Sequence, residues 1–194
     1  MAERRRTPLI AALLLVVGGC TQPVMRPTAA ADNTLPPTPL LPPSSLGQAR
    51  QVEQRLSGAY GDQNFELRCV VLVSADRLLL IGLMPWGQTA FELNYDGETI
   101  TAKSALLPQD FDPARLAADL QLALWPLERL EPVYREAGWS LSEPAPGVRR
   151  LRRDGAIVAE VHYADDDPWN GRLWLVNLRY GYTLAVDSHA LPSD

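Results

Sequence analysis

Alternating apolar and polar positions predict β-strands in the first half of the chain. Residues 65–73 place an apolar side chain at every second position, with Glu66 and Arg68 between them, and residues 91–95 repeat this alternation. A period of two gives a strand one buried and one exposed face. Residues 51–56 fit either a short helix or a polar strand, and the turn-like sequence that follows favours the strand.

A run of apolar residues without this alternation occupies positions 78–84. Such a run predicts a strand that is covered on both of its faces. Asp96 and Gly97 form a hairpin signal, because glycine accepts the positive φ that tight turns require. We therefore expect the first half of the chain to be an antiparallel meander.

The apolar period changes to that of a helix after residue 112. Asp112 suits the N-cap and Pro113 the first helical position. The leucines that follow recur at helical spacing and predict a broad apolar face. They are Leu116, Leu120, Leu124 and Leu127.

The remaining sequence predicts a second helix and then a return to strands. Pro126 removes a donor and ends or kinks the first helix near Trp125. A short helix is predicted over residues 127–137, ended by Gly138. The later strands are predicted over residues 148–153, 157–163, 172–180 and 182–186. The fold class is α+β: a curved antiparallel sheet, as in an incomplete β-barrel, with a helical segment covering the concave face.

The N-terminus carries the pattern of a bacterial export signal. Three arginines at positions 4–6 precede an apolar run of roughly nine residues, which is too short to span a membrane. The run ends in Gly18, Gly19 and Cys20, a sequence that resembles the lipobox of bacterial lipoproteins. This resemblance implies that residues 1–19 are a signal peptide and that Cys20 is lipidated, while Thr21 after it implies sorting to the outer membrane. A plain secretory signal is the alternative.

Proline is dense between the cysteine and residue 46 and predicts an extended tether over residues 20–46. About 25 such residues would reach roughly 75 Å. A segment that lies along the domain is the alternative. A single domain is predicted over residues 47–190.

Composition narrows the classes of function. The chain has 194 residues, of which 46% are hydrophobic and 21% charged, as in globular proteins. Its net charge of −5 becomes about −7 when the leader leaves, so we expect no nucleic-acid partner. With Cys20 assigned to the lipid, Cys69 has no disulfide partner and is interpreted as a small buried residue.

Catalytic patterns are absent from the sequence. His162 and His189 do not have the spacing of zinc ligands, and no nucleophile motif or glycine-rich phosphate loop occurs. The acidic run at residues 165–167 lacks the spacing of a calcium loop and is interpreted as a solvated turn. The arginines at positions 149–153 are interpreted as a solvated hairpin, with an acidic partner or lipid phosphate as the alternative. We expect no enzyme activity, no cofactor and no metal.

The apolar surplus is the remaining clue. A well-filled core explains it, and so does a hydrophobic cleft between sheet and helix that binds an acyl or polyene chain. The residues predicted to line such a cleft are Leu79, Ile81, Leu83, Phe91, Leu93, Leu116, Leu120, Leu124, Trp125 and Trp174.

Two blocks of sequence resemble the DUF3261 family of bacterial lipoproteins. The first block includes residues 46–47, 54–58, 79–87 and 94–97, and the second includes residues 168–171, 175–178 and 181–182. That family is similar to the outer-membrane lipoprotein carriers LolA and LolB, which implies an incomplete barrel with an acyl-chain cavity. Its association with aryl-polyene biosynthesis implies movement or insertion of a lipid-like molecule or a lipoprotein at the outer membrane.

The expected function is therefore that of a monomeric, lipid-anchored outer-membrane protein that faces the periplasm and binds a lipid-like chain. A scaffold lipoprotein that binds another envelope protein is the alternative. A hydrolase or transferase of the same pathway is a third.

Overall fold

The computed structural model describes residues 34–60, 62–104 and 112–192. In these residues the chain forms ten strands and two α-helices, with a 3₁₀ helix at Pro43–Leu46. The strands are β1 (Arg50–Tyr60), β2 (Gln63–Val73), β3 (Leu78–Leu83), β4 (Thr89–Tyr95), β5 (Ile100–Ser104), β6 (Trp139–Ala145), β7 (Val148–Arg153), β8 (Ala156–Tyr163), β9 (Arg172–Asn177) and β10 (Tyr182–Ala190). The helices are α1 (Pro113–Leu124) and α2 (Leu127–Glu136).

The ten strands form one antiparallel sheet in the order β5-β4-β3-β2-β1-β10-β9-β8-β7-β6. Each half of this order is a meander of sequence neighbours, and the two halves meet where β1 pairs with β10. Within the described residues β5 and β6 are the outer strands and do not pair with each other, so the sheet is open. The expected antiparallel sheet with inserted helices is confirmed at this level.

One face of the sheet carries the core, and we call it the inner face. Val52, Val71, Leu80 and Leu93 are successive cross-strand partners on it, and each is no more than 5% exposed. Cross-strand partners share a face, so the alternation predicted for β2 and β4 is confirmed. The opposite surface is called the outer face.

The helix boundaries follow local rules. The Asp112 side chain accepts a hydrogen bond from the backbone N–H of Ala114, and Pro113 begins α1. Pro126 separates α1 from α2, and Gly138 follows α2 with a φ of 80°. Both predicted helices are therefore confirmed.

Two side chains of the sheet and one from the loop between β8 and β9 bind the end of α1 to the inner face. Tyr163, Trp169 and Arg149 donate hydrogen bonds of 2.7–3.1 Å to carbonyl oxygens of residues 122–125. The last carbonyls of a helix have no partner within it, and a cation there is also attracted to the negative end of the helix dipole. These contacts explain why α1 packs on the inner face.

Three sequence-based expectations require correction. Residues 139–145 were not expected to form a strand, yet they form β6 at the edge of the sheet, where Pro144 is tolerated. The strand predicted over 172–180 ends at Asn177, because the chain turns before β10. Arg149 is not solvated: it is 7% exposed and also forms an ion pair of 2.9 Å with Glu143.

The later part of the proline-rich segment lies on the domain. We call residues 35–46 the strap. The Gln121 side chain donates to the carbonyl oxygen of Leu41 at 2.7 Å and accepts from its N–H at 2.9 Å. Arg179 donates to the carbonyls of Leu35 and Pro36 at 2.5 and 2.9 Å. These twelve residues therefore follow the alternative that was weighed for the tether, a segment lying along the domain; residues 20–33 lie outside the described residues.

Candidate functional site

The residues predicted to line a cleft are divided between the two faces of the sheet. Phe91 and Leu93 lie on the inner face, and on the covering helix Leu124 and Trp125 are buried while Leu116 and Leu120 are half-buried. The remaining four lie on the outer face and are half-buried: Leu79, Ile81, Leu83 and Trp174. The register pairs Leu78 and Leu80 with the buried residues of β2, which turns the residues between them outwards. One continuous cleft therefore does not contain all ten.

The contact between α1 and the sheet is filled. The void found there, between Ala118 and Leu122 of the helix and Val158 of β8, has a volume of about 10 Å³. Even one water molecule needs roughly this volume. In the described residues this part of the inner face is a packed core. This agrees with the alternative in which the apolar surplus fills the core.

The inner face is less completely covered where β1 turns into β2. Leu56 pairs with Leu67, and one step further Gly58 pairs with both Phe65 and Leu184. A Cβ atom at Gly58 would lie 2.4 Å from the Phe65 ring and 2.8 Å from Leu184, so both side chains cover this glycine. We call Leu56, Phe65, Leu67 and Leu184 the apolar rim; all four are half-buried.

A part-buried polar network lies beside the rim. Asp119 of α1 accepts hydrogen bonds from the Asn177 amide, at 3.0 Å, and from the Tyr182 hydroxyl. Burial raises the pKa of Asp119 from 3.8 to about 6, although both hydrogen bonds and Arg115 oppose that change. Burial, together with the Asp119 charge, raises the pKa of Tyr182 well above 10. The network joins α1 to the turn between β9 and β10.

The outer face contains a depression of about 600 Å³. Its walls come from β1, β2, β9 and β10 and from Pro85, and Leu56 and Leu67 of the apolar rim also line it. No residue of the described helices lines it. Trp174 is its aromatic residue, and its charges are balanced. The charged residues are Glu53, Arg55, Glu66, Arg68, Arg172 and Asp187.

One ion pair lies among these charges, while Arg172 and Asp187 form ion pairs with Asp165 and His189, which do not line the depression. Arg68 binds Glu53 at 2.6 Å, and Arg55 lies opposite Asp187 in the register of β1 and β10. Exposed pairs of this kind contribute little to stability. The arrangement offers both signs of charge to a partner and gives no strong preference for an anion.

The other polar candidates have structural roles. The Asp165 and Asp167 carboxylates accept hydrogen bonds from the backbone N–H groups of Arg172 and Trp169, as expected of a turn. In the parts of the chain that the structure describes, no group of three potential ligands could bind a metal ion. Cys69 is 2% exposed and burial raises its pKa to about 12, so its interpretation as a buried residue is confirmed.

Sequence reasoning did not identify Asp119 or Gln121, and it gave a segment lying along the domain only as the alternative to a tether. The sequence did contain a sign of their role. Asp119 and Gln121 are, with Arg115, the polar residues of the otherwise apolar helix α1, and a buried polar side chain requires a hydrogen-bond partner. The partners of Asp119 and Gln121 are distant in sequence, so the sequence alone could not identify them. Gln121 and Leu41, for example, are 80 residues apart.

Comparison with known proteins adds one finding. The helices of the described ranges are too short or too polar to cross a bilayer. No curated protein matches the chain. A family of proteins of unknown function, DUF3261, matches residues 51–190, which cover β1 to β10. The chain belongs to the DUF3261 family.

Proposed function

We propose that this protein is a non-enzymatic lipoprotein of the outer membrane that faces the periplasm and binds a lipid-like chain. The lipobox-like end of the leader supports the location, with Cys20 as the attachment site. An open sheet with helices on one face supports a likeness to LolA and LolB, whose sheets are also incomplete barrels. The ligand class is an acyl or aryl-polyene chain, or the acyl part of a lipoprotein.

The apolar rim is the observation that carries this proposal. Core side chains elsewhere on the inner face, such as Val52 and Leu93, are fully buried, whereas the rim is half-buried at the end of α1 where Leu116 and Leu120 are also half-buried. A half-buried apolar surface beside a helix can shield part of a bound hydrocarbon from water. A chain would enter between the rim and α1.

Because the contact between α1 and the sheet is filled, deeper binding requires α1 to move away from the sheet. The Asp119 network and the strap both oppose that movement, since they join α1 to β9, β10 and residues 35–46. The rim is therefore the first binding surface, and the packed core behind it is the space that opens.

The test is to identify what the protein carries. The chain from Thr21 onward, exported behind an ordinary secretory leader, is purified without detergent, extracted with organic solvent and analysed by mass spectrometry. We expect a stoichiometric acyl or polyene species. A protein that carries none and also refuses added fatty acids and polyenes would contradict the proposal.

Two matched variants locate the binding surface. Leu67→Gln places a polar group in the rim, and Leu79→Gln makes the same change at a half-buried position of the outer face. We expect Leu67→Gln to lower the bound amount several-fold and Leu79→Gln to leave it unchanged, with circular dichroism as the control for folding. Equal occupancy in both variants would exclude the rim.

Binding of another envelope protein is the second candidate function. The outer depression favours it, because charges of both signs around Trp174 suit a polar protein surface better than a hydrocarbon. The arginines at 149–153 do not favour a protein partner, because Arg149 binds α1 and Arg150 forms an ion pair of 2.5 Å with Glu160. A charge reversal such as Arg55→Glu is expected to abolish cross-linking to such a partner while ligand binding at the rim persists.

A further inference from the structure

The most exposed large apolar side chain of the described residues belongs to Trp86, which is 69% exposed. It lies in the turn between β3 and β4, directly after Pro85. Two backbone hydrogen bonds of 2.8 Å close this turn, and Gly87 in it has a φ of 88°. The indole N–H of Trp86 donates to the Gln88 side chain at 3.3 Å. Local contacts therefore hold the ring in place, which lowers the entropy cost of binding a partner through it.

The outer depression begins beside this turn. Pro85 lines the depression, and the end of β3 is level with Arg68, which also lines it. From Arg68 the register continues through Arg55 and Asp187 to Arg172 on the far side. A protruding tryptophan and a depression of about 600 Å³ therefore lie next to each other on one molecule.

The charges of the depression suit a second copy of the same chain. Three arginines and three acidic residues line it, whereas the whole chain has a net charge of −5. This surface therefore avoids the repulsion that net negative charge creates between two acidic chains. In the described part of the chain, neither Arg55 nor Glu66 forms an ion pair. Each copy thus offers one cation and one anion, and two copies related by a two-fold axis can form two Arg55–Glu66 pairs.

We propose that the outer depression binds the Trp86 turn of a second copy, so that the protein forms a two-fold symmetric dimer in place of the expected monomer. This names the partner for the second candidate function, protein binding at the outer depression, and rests on that function. Tryptophan and arginine dominate the binding energy of many protein interfaces, and a tryptophan ring stacks on guanidinium groups. In the depression the ring of the other copy meets Trp174 and the three arginines.

The neighbouring positions of turn and depression explain why the assembly closes at two copies. In a two-fold dimer the same patch serves both partners, so each turn enters the depression of the other copy. A protruding group and its binding site on opposite sides of a molecule would instead produce an open chain of copies. The depression and the turn together contain somewhat fewer than the roughly 20–30 residues per side of a standard interface, so we expect a dissociation constant in the micromolar range.

Sedimentation velocity of the chain from Thr21 onward measures this assembly. We expect the native protein to pass from monomer to dimer as its concentration rises through the micromolar range. Trp86→Ser should weaken the dimer by about tenfold or more, because it removes the side chain that fills the depression. Val133→Ser is the matched control: it removes an exposed apolar side chain of α2 and should leave the dimer unchanged. A native protein that stays monomeric, or equal dimerisation of the two variants, would overturn the proposal.

Two charge reversals test the arrangement of the copies. Arg55→Glu and Glu66→Arg should each weaken self-association several-fold, because each change places like charges opposite each other. An equimolar mixture should recover dimers, since one variant then carries two acidic groups at this place and the other carries two basic groups. Misfolding of either variant cannot produce this recovery. Variants that remain monomeric when mixed would refute the two-fold arrangement.

Further outcomes separate this proposal from the functions proposed above. A monomeric native protein that cross-links at the depression to a different envelope protein refutes the second copy and leaves the second candidate function in place. A native protein that does neither refutes both. Mass spectrometry of extracted lipid reports the rim separately, so a dimer that carries and accepts no lipid contradicts lipid binding and leaves the dimer in place.

Discussion

The Gln121 side chain provides the sharpest test of the strap. Its amide makes two buried hydrogen bonds with the backbone of Leu41, which is 5% exposed. Gln121→Leu keeps a similar volume and removes both bonds. Each contributes about 1 kcal/mol net, so docking of the strap should weaken by about 2 kcal/mol. Since 1.4 kcal/mol is tenfold, the open form should become roughly 30 times more populated.

Chymotrypsin measures this opening. The bond after Leu40 is cleaved only when the strap leaves the domain, and with fast closing the cleavage rate follows the open population. We expect the rate of this cut, read by mass spectrometry, to rise roughly 30-fold, and the free energy of unfolding to fall by up to the same ~2 kcal/mol, because the unfolded chain also lacks both bonds. Gln63→Leu is the matched control at an exposed position. Equal cleavage rates in the two variants would refute the role assigned to Gln121.

Three further changes test the packing of the inner face. Burial raises the pKa of Asp119 to about 6, so the folded state binds the proton more tightly than the unfolded chain does. The free energy of unfolding should therefore increase when the pH is lowered from 7 to 5. This increase should be smaller in Asp119→Asn. Arg149→Met should lower the free energy of unfolding by about 2–4 kcal/mol in urea titrations, whereas Arg152→Met, which loses one exposed hydrogen bond, should change it little. Gly82→Ala should cost about 1–3 kcal/mol, because the new Cβ would lie 2.3 Å from the Phe91 ring, and Phe91→Leu in the same protein should recover part of that loss. Strictly additive effects of the last pair would contradict the clash.

Local sequence rules identified most elements of the fold. Asp112 and Pro113 identified the start of α1, and Gly138 identified the end of α2, because capping depends on neighbours in sequence. β6 was missed although Trp139 and Leu141 alternate with serines and Pro146 and Gly147 supply a turn signal before β7.

The faces of β3 could not be assigned from sequence. Leu78 and Leu80 face inwards, and Leu79 and Ile81 face outwards, yet all four are apolar, so no polar residue marks the solvent side. The register with β2 decides between the two faces, and a shift of one residue would exchange them. This is why the predicted cleft combined residues of both faces.

Composition predicted the conformation of the strap but not its docking on the domain. A proline-rich segment is expected to lack regular helix or strand, and residues 35–42 do lack them. Its docking depends on Gln121 and Arg179, which follow it by 80 and 143 or more residues. Contacts this distant in sequence leave no local pattern.

The junction of β1 with β10 has a consequence for the order in which the chain folds. A ribosome delivers β1 to β5 first, and these strands can form their meander from local contacts alone. The free edge of β1 then has no neighbour until the last strand arrives, because Val52 pairs with Ala190. During that interval an 11-residue strand edge is exposed to other chains. Truncation near the C-terminus should therefore increase aggregation more than a deletion of equal length in β5 or β6, the outer strands of the sheet that the described residues form.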